Sequence, residues 1–219
     1  MLPPTIPIFP LPNVVLFPNV FLPLHIFEPR YRAMVADALK GDRIIGMTLL
    51  RPGFEATYDG RPPVYPIGCA GVITHADPLP DGRSNIVLRG MEKFRITGED
   101  DSRPYRLALV DALPESVAEA DRAEVRACRQ RLEAVLASTI ERSGGEPRFP
   151  PVVPDDDLVN ALAQYLPLEP MERQALLECE GIAARCNGLI ELLEMHTLTG
   201  GGKAWKDRSV HYRFVICDL

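Results

Sequence analysis

The sequence predicts an α+β chain: a mixed or antiparallel, partly closed β-sheet with one inserted helix, followed by a bundle of helices. Three observations carry this. Apolar and β-branched runs separated by short Gly, Pro and Asp turns fill roughly the first half. A single helical periodicity interrupts them. After Pro114 the pattern changes to apolar residues at spacings of three and four.

The first strands fall at Ile6–Phe9 and Val20–Ile26, joined by a loop shaped by Pro10, Pro12 and Pro18, since proline is confined to edges, bulges and turns. Glu28-Pro29 then opens a helix: an acid suits the positive end of the helix dipole, and proline's missing N–H costs nothing at the first helical position. Tyr31, Met34, Val35, Ala38 and Leu39 give that helix its apolar spacing, and Gly41 is its natural stop. Four further strand-like runs follow at Arg43–Leu50, Gly68–His75, Asn85–Leu88 continuing through Phe94–Thr97, and Tyr105–Ala112. Turns such as Tyr58-Asp59-Gly60 and Pro80-Asp81-Gly82-Arg83 separate them. Connections this short exclude a doubly wound parallel sheet, which needs a helix between successive strands. Phe9, Phe17, Phe27, Phe94 and Ile96 are assigned to the core of this half.

In the second half, Ala118–Ser143 is amphipathic through Val125, Cys128, Leu132, Val135, Leu136 and Ile140. Asp155-Asp156-Asp157 opens a second helix, Glu169-Pro170 a third, and Ile182–Leu198 is the fourth. Leu158, Leu162, Tyr165, Leu176, Leu177, Leu189, Leu192 and Leu193 form the expected core. The domain reading is therefore 1–117 for the sheet, 118–198 for the bundle, and a 199–219 tail whose end, VHYRFVICDL, has strand-like composition.

Composition narrows the function. The formal net charge is −6. It is −1 over residues 1–117 and −5 thereafter, so neither half offers the basic face that neutralises phosphates, and nucleic acid is disfavoured. The five cysteines are odd in number and lack a C-x-x-C pair, which suits reduced thiols in a cytoplasmic protein. The apolar N-terminus lacks a basic leader and is cut by prolines. No stretch reaches the roughly 18 to 20 unbroken apolar residues of a membrane span, so a soluble chain with no membrane partner is expected.

Catalytic, metal and cofactor motifs are missing. Gly200-Gly201-Gly202-Lys203 has Thr197 and Ala204 where a phosphate loop needs glycine and Ser or Thr. No serine lies in a G-x-S-x-G context. Cys179 and Cys186 are separated by Gly181, a helix break, and read as buried apolar side chains. His25 and Glu28 are spaced H-x-x-E but straddle a strand end and a helix start, while His196 and His211 are isolated. Glu99-Asp100-Asp101 lacks the glycine and terminal glutamate of a calcium loop.

Several segments in order resemble one family. Ile6-Pro7-Ile8-Phe9-Pro10-Leu11, Val15-Leu16-Phe17-Pro18, Leu22-Pro23-Leu24 and Phe27-Glu28-Pro29-Arg30-Tyr31 are followed by Ile67-Gly68-Cys69-Ala70-Gly71, Leu79-Pro80-Asp81-Gly82-Arg83, and the run from Leu88 to Ile96. The run from Leu166 to Glu178 completes the set. Together, over about residues 5 to 198, they are similar to the Lon protease N-terminal (substrate-binding) domain family, in the form of its stand-alone bacterial members. The resemblance implies a PUA-like pseudo-barrel followed by a helical bundle. It also implies recognition of unfolded or specific protein clients by a non-catalytic module, without an ATPase or protease of its own. RNA binding is the alternative, because PUA-like barrels elsewhere recognise RNA. For polypeptide contact the residues favour the expected loop Pro52–Tyr58, where Phe54 and Tyr58 place apolar surface on an unconstrained segment. Oligomeric state is not legible.

Overall fold

In the computed structural model, which describes residues 2–54, 60–115, 122–142 and 153–198, the chain divides into two compact units, Met1–Glu115 and Ser116–Leu219. The first carries β1 (Thr5–Leu11), β2 (Phe21–Ile26), α1 (Pro29–Lys40), β3 (Ile44–Leu49), β4 (Ile67–Pro78), β5 (Ser84–Asp100) and β6 (Arg106–Leu113). The second carries α2 (Arg122–Arg142), α3 (Asp155–Tyr165), α4 (Pro170–Glu178) and α5 (Ile182–Leu198). This is a mixed α+β chain.

The strands form one six-stranded sheet in the order β2-β5-β4-β3-β1-β6, with an additional β5–β6 pairing. β1 runs parallel to β3, with Ile8 opposite Gly46, and antiparallel to β6, with Ile6 opposite Ala108. The parallel pair is possible because β2 and α1 supply the crossover between β1 and β3. Asn85–Leu88 and Phe94–Thr97 belong to a single strand of 17 residues, β5. It pairs with β2 through Ser84–Arg89 and with β6 through Lys93–Asp100. Register shifts at Ala70/Gly71, Ile73/His75 and Ile96/Gly98 bend it along the way. The sheet thus curls back on itself, while β2, paired only with β5 among the described strands, stays outside the curl, so this is not a simple closed barrel.

The core of this unit gathers Ile6, Ile8, Ile44, Ala70, Phe94, Ala108 and Val110, with Met91 and Ile96 partly buried against it. A Cβ at Gly46 would lie 2.8 Å from Phe94 Cζ and 2.9 Å from Ile6 Cδ1, and one at Gly68 would lie 2.7 Å from the same Phe94 atom. The Phe94 ring therefore fills space that two neighbouring strands leave open by lacking side chains. Phe9 and Phe17 are buried as expected, but Phe27 is not: it is 59% exposed. Burial in β2 ends at Ile26, and Phe27 falls in the turn into α1, outside the sheet's alternation.

Helix α1 begins as the sequence reading has it, with Pro29 in the first turn, and buries Tyr31, Met34, Val35 and Ala38. Glu28 makes no side-chain cap; its carboxylate accepts from Arg30 Nε at 3.0 Å. The helix ends at Gly41 as expected, with the Gly41 N–H donating to Ala38 O at 3.0 Å. Gly41 does so at φ −112°, and the left-handed residue is Arg43, at φ 61°, whose N–H donates to the same carbonyl at 3.0 Å.

In the second unit α2 buries Val125, Cys128, Leu132 and Leu136. Arg129 joins α2 to the start of α3 through Asp155, 2.8 Å away, and Glu172 joins α4 to α5 through His196 at 2.9 Å. Gly181, at φ +87°, makes the break that separates α4 from α5. Arg185 is fully buried. Its Nη1 donates to Asn160 Oδ1 at 2.7 Å and its Nε to the Leu176 carbonyl at 3.0 Å, which ties α5 to α3 and α4. The 199–219 tail lies outside the described residues.

Two outcomes follow from this packing. Gly46→Ala should destabilise the chain by roughly 1–3 kcal/mol through overpacking. Combining it with Phe94→Leu should cost less than the two single changes added together, because both act on one contact; urea denaturation of the four variants measures this. Burial, with Cys128 alongside, pushes the Cys186 thiol well above the usual cysteine range. Iodoacetamide at pH 8 should therefore leave Cys186 unmodified in the native chain and alkylate it in urea, as read by peptide mass mapping.

Candidate functional site

A groove of about 360 Å³ opens on the first unit where the ends of β1, β2 and β3 meet the start of α1. Strand alternation delivers Phe9 and Leu11 from β1 and Leu24 and Ile26 from β2, and Leu50 closes the floor from the residue after β3. Tyr31 reaches in from the first turn of α1, its ring centroid 4.1 Å from that of Phe9 with the planes tilted by 39°. The Arg30 guanidinium lies over the Tyr31 ring, 4.7 Å from its centroid, and pairs with Glu28 at 2.9 Å. The floor is thus apolar and aromatic, with one charged pair beside it, a composition suited to binding apolar side chains.

Phe27 stands at the lip of this groove, its ring 6.3 Å from that of His25. His25 is itself held by polar partners. Its Nδ1 lies 2.7 Å from Asn85 Oδ1 and its Nε2 lies 3.4 Å from Arg83 Nη1. His25 and Glu28 both line the groove yet point to different partners, so the H-x-x-E spacing does not converge. Among the described residues no group of three or more His, Cys, Asp or Glu could hold a metal ion. The lining contains no serine, cysteine or lysine.

The other sequence candidates fall as follows. Phe54 is 42% exposed, beyond a left-handed Gly53, on a segment that leaves the groove at Leu50. The base of that segment is held by the Leu50–Val64 bridge and by Arg51 N–H donating to Pro63 O at 3.0 Å. Tyr58 lies outside the described residues, as do His211 and the glycine-rich run before Lys203. Glu99 is bound by Arg106, whose Nε donates at 2.9 Å, and Arg61 pairs with Asp101. The Ser102 N–H, 2.7 Å from Asp100, holds that carboxyl below its usual range. The acidic run at the end of β5 is therefore taken up by arginines at Glu99 and Asp101 and by a backbone N–H at Asp100. His196 pairs with Glu172. Arg89 donates to Asn19 Oδ1 at 3.1 Å.

The groove itself is absent from the sequence reading, because Phe9 and Phe27 look alike there. The usable signal was the Phe27-Glu28-Pro29 junction, where a strand stops and a helix starts with no residue between to bury an aromatic.

Comparison with known proteins converges on one family. The model of the ATP-dependent protease La (LON) substrate-binding domain matches residues 5–195. The chain is 24% identical over 197 residues to a Lon protease of Cytophaga hutchinsonii, which covers 88% of this chain and 24% of that protein. To Lon protease 1 of Herpetosiphon aurantiacus it is 28% identical over 201 residues, again 88% and 24%. It thus spans about a quarter of the length of these relatives. Among solved structures it is similar in fold to the N-terminal domain of the Mycobacterium avium complex Lon protease, with TM-score 0.61, 18% identity, and coverage of 88% of this chain and 99% of that one. A Lon N-terminal domain protein from Xanthomonas campestris gives TM-score 0.57 and 22% identity, covering 85% and 97%.

Proposed function

Since the chain belongs to the LON substrate-binding domain family, we propose that it is a non-catalytic module that captures unfolded or specific polypeptides through the groove beneath Phe27. One observation carries the reading. A phenylalanine more than half exposed stands over an apolar floor of Phe9, Ile26, Tyr31 and Leu50. A large aromatic in that position is unsatisfied in water and gains from covering an apolar side chain of a partner.

In support of a binding role, the family model that matches residues 5–195 is that of the substrate-binding domain. We read the curled sheet as a PUA-like pseudo-barrel and the second unit as a small helical bundle, supported by the β5–β6 pairing and by the buried faces of α2, α3 and α5. A cytoplasmic setting suits the free thiols of Cys69, Cys128, Cys179 and Cys186. No described helix is long and apolar enough to cross a membrane. Phe54 and Tyr58 extend the contact surface in this reading, on the segment that leaves the groove at Leu50. The comparisons lend no support to RNA as the ligand, and the net charge of −6 opposes it.

The test is fluorescence anisotropy with labelled, reduced and carboxymethylated lactalbumin as an unfolded polypeptide and a labelled single-stranded RNA as the rival. Phe27→Ala should weaken polypeptide binding about fivefold, roughly 1 kcal/mol, while leaving the melting temperature within about a degree, because exposed positions contribute little to stability. Phe54→Ala and Tyr58→Ala should each weaken it by about twofold, a few tenths of a kcal/mol. Unchanged affinity in Phe27→Ala, or binding of the RNA in preference to the polypeptide, overturns the reading.

A further inference from the structure

A second cleft in the first unit, about 490 Å³, lies between α1 and the β4–β5 hairpin. Three of its lining side chains are arginines, Arg32, Arg43 and Arg83, and none is acidic. In a chain of net charge −6 that is a local reversal of sign. The three differ in how far their charge is already used. Arg83 is paired with Asp81 at 2.6 Å. Arg43 spends its Nε on the Ile73 carbonyl at 3.0 Å. The Arg32 guanidinium makes no hydrogen bond or ion pair among the described residues.

Arg32 projects from the opening turns of α1, and its side chain is exposed. Its guanidinium lies against Gly82, at φ +80° in the hairpin turn, and a Cβ there would overlap it. Arg43 is in a left-handed conformation that a non-glycine residue adopts rarely, with its carbonyl accepting from the Ile73 N–H at 2.8 Å. Beside the arginines the wall is aliphatic: Val35 and Leu39 from α1, the latter partly exposed, face Ala76 and Pro78.

An exposed, uncommitted guanidinium next to an aliphatic wall fits an anion carried directly on an apolar group. A planar carboxylate matches the two-pronged donor face of arginine. A bare phosphate would leave the aliphatic wall uncovered. We propose that this cleft binds the C-terminal residue of a polypeptide, with its carboxylate on Arg32, supported by Arg43, and its aliphatic side chain against Val35, Leu39 and Pro78. This rests on the reading of the chain as a polypeptide-binding module and adds to it a preference for free chain ends.

The experiment titrates the ¹⁵N-labelled chain with N-acetyl-leucine, N-acetyl-leucinamide, acetate and inorganic phosphate at fixed ionic strength, following the Gly82 amide and Arg32 Nε signals. N-acetyl-leucine should shift both saturably. The amide should bind at least tenfold more weakly, for want of the charge, and acetate likewise, for want of the side chain. Arg32→Gln should abolish the response, and Leu39→Ala should weaken N-acetyl-leucine at least threefold without affecting acetate. Absence of a saturable shift, equal binding of acid and amide, or tighter binding of phosphate than of N-acetyl-leucine overturns the proposal. The probes are single residues and Phe27 is untouched, so failure here leaves polypeptide capture by the groove standing. Loss of that capture with N-acetyl-leucine still bound would sink the groove reading alone.

Discussion

The ring of Phe94 occupies the volume that Gly46 on β3 and Gly68 on β4 leave open, and this fit sets how closely three strands of the first unit approach one another. Phe94 belongs to β5, the strand that touches β2, β4 and β6 in turn. Seating its ring therefore locks the middle of the sheet in register, because a one-residue slip would swing the ring to the opposite face. The bulges at Ala70/Gly71 and Ile96/Gly98 lie on either side of it and take up the bend that lets the two ends of β5 serve different neighbours. The groove depends on this indirectly. Ile26 reaches its floor because β2 is held on the first half of β5, and Phe9 because β1 is held on β3.

The second unit has a polar counterpart in Arg185. A guanidinium removed from water is costly unless its donors are met, and here a side-chain amide on α3 and a carbonyl from α4 meet two of them. Such bonds are directional, so they specify which turn of α5 faces which turn of its neighbours, something that Leu189 and Leu193 alone do not do. Exposed ion pairs such as Arg131–Glu194 add little by comparison.

Much of the element order was legible because it is written locally. Glu28-Pro29 announces α1 and Gly181 divides α4 from α5. The alternation in β1 and the three- and four-residue spacing in α2 are each visible in a short window. What escaped the sequence is what depends on distant neighbours. The parallel pairing of β1 with β3 leaves no local mark. Arg185 looks like any surface arginine until Asn160 is brought beside it. Phe27 shares its chemistry with buried Phe9, and only the geometry of the strand-to-helix turn puts it in water. Gly41 ends α1 as its sequence suggests, yet the left-handed residue is Arg43, because the route into β3 shapes the chain just beyond the helix. Of the proposed contact residues, Phe54 was legible as loop surface, whereas the groove that Leu50 floors required β1, β2 and α1 to be assembled first.

One consequence lies in Pro23. β2 is bonded on one side only among the described strands, and its outer edge stands beside the groove. An edge of that kind ordinarily invites a passing extended chain to add itself as the next rung, and then another after it. Proline has no N–H to offer a newcomer, so the invitation is incomplete at the centre of the strand. An edge blunted in this way discourages strand addition beside the groove, so contact there falls to side chains rather than to backbone.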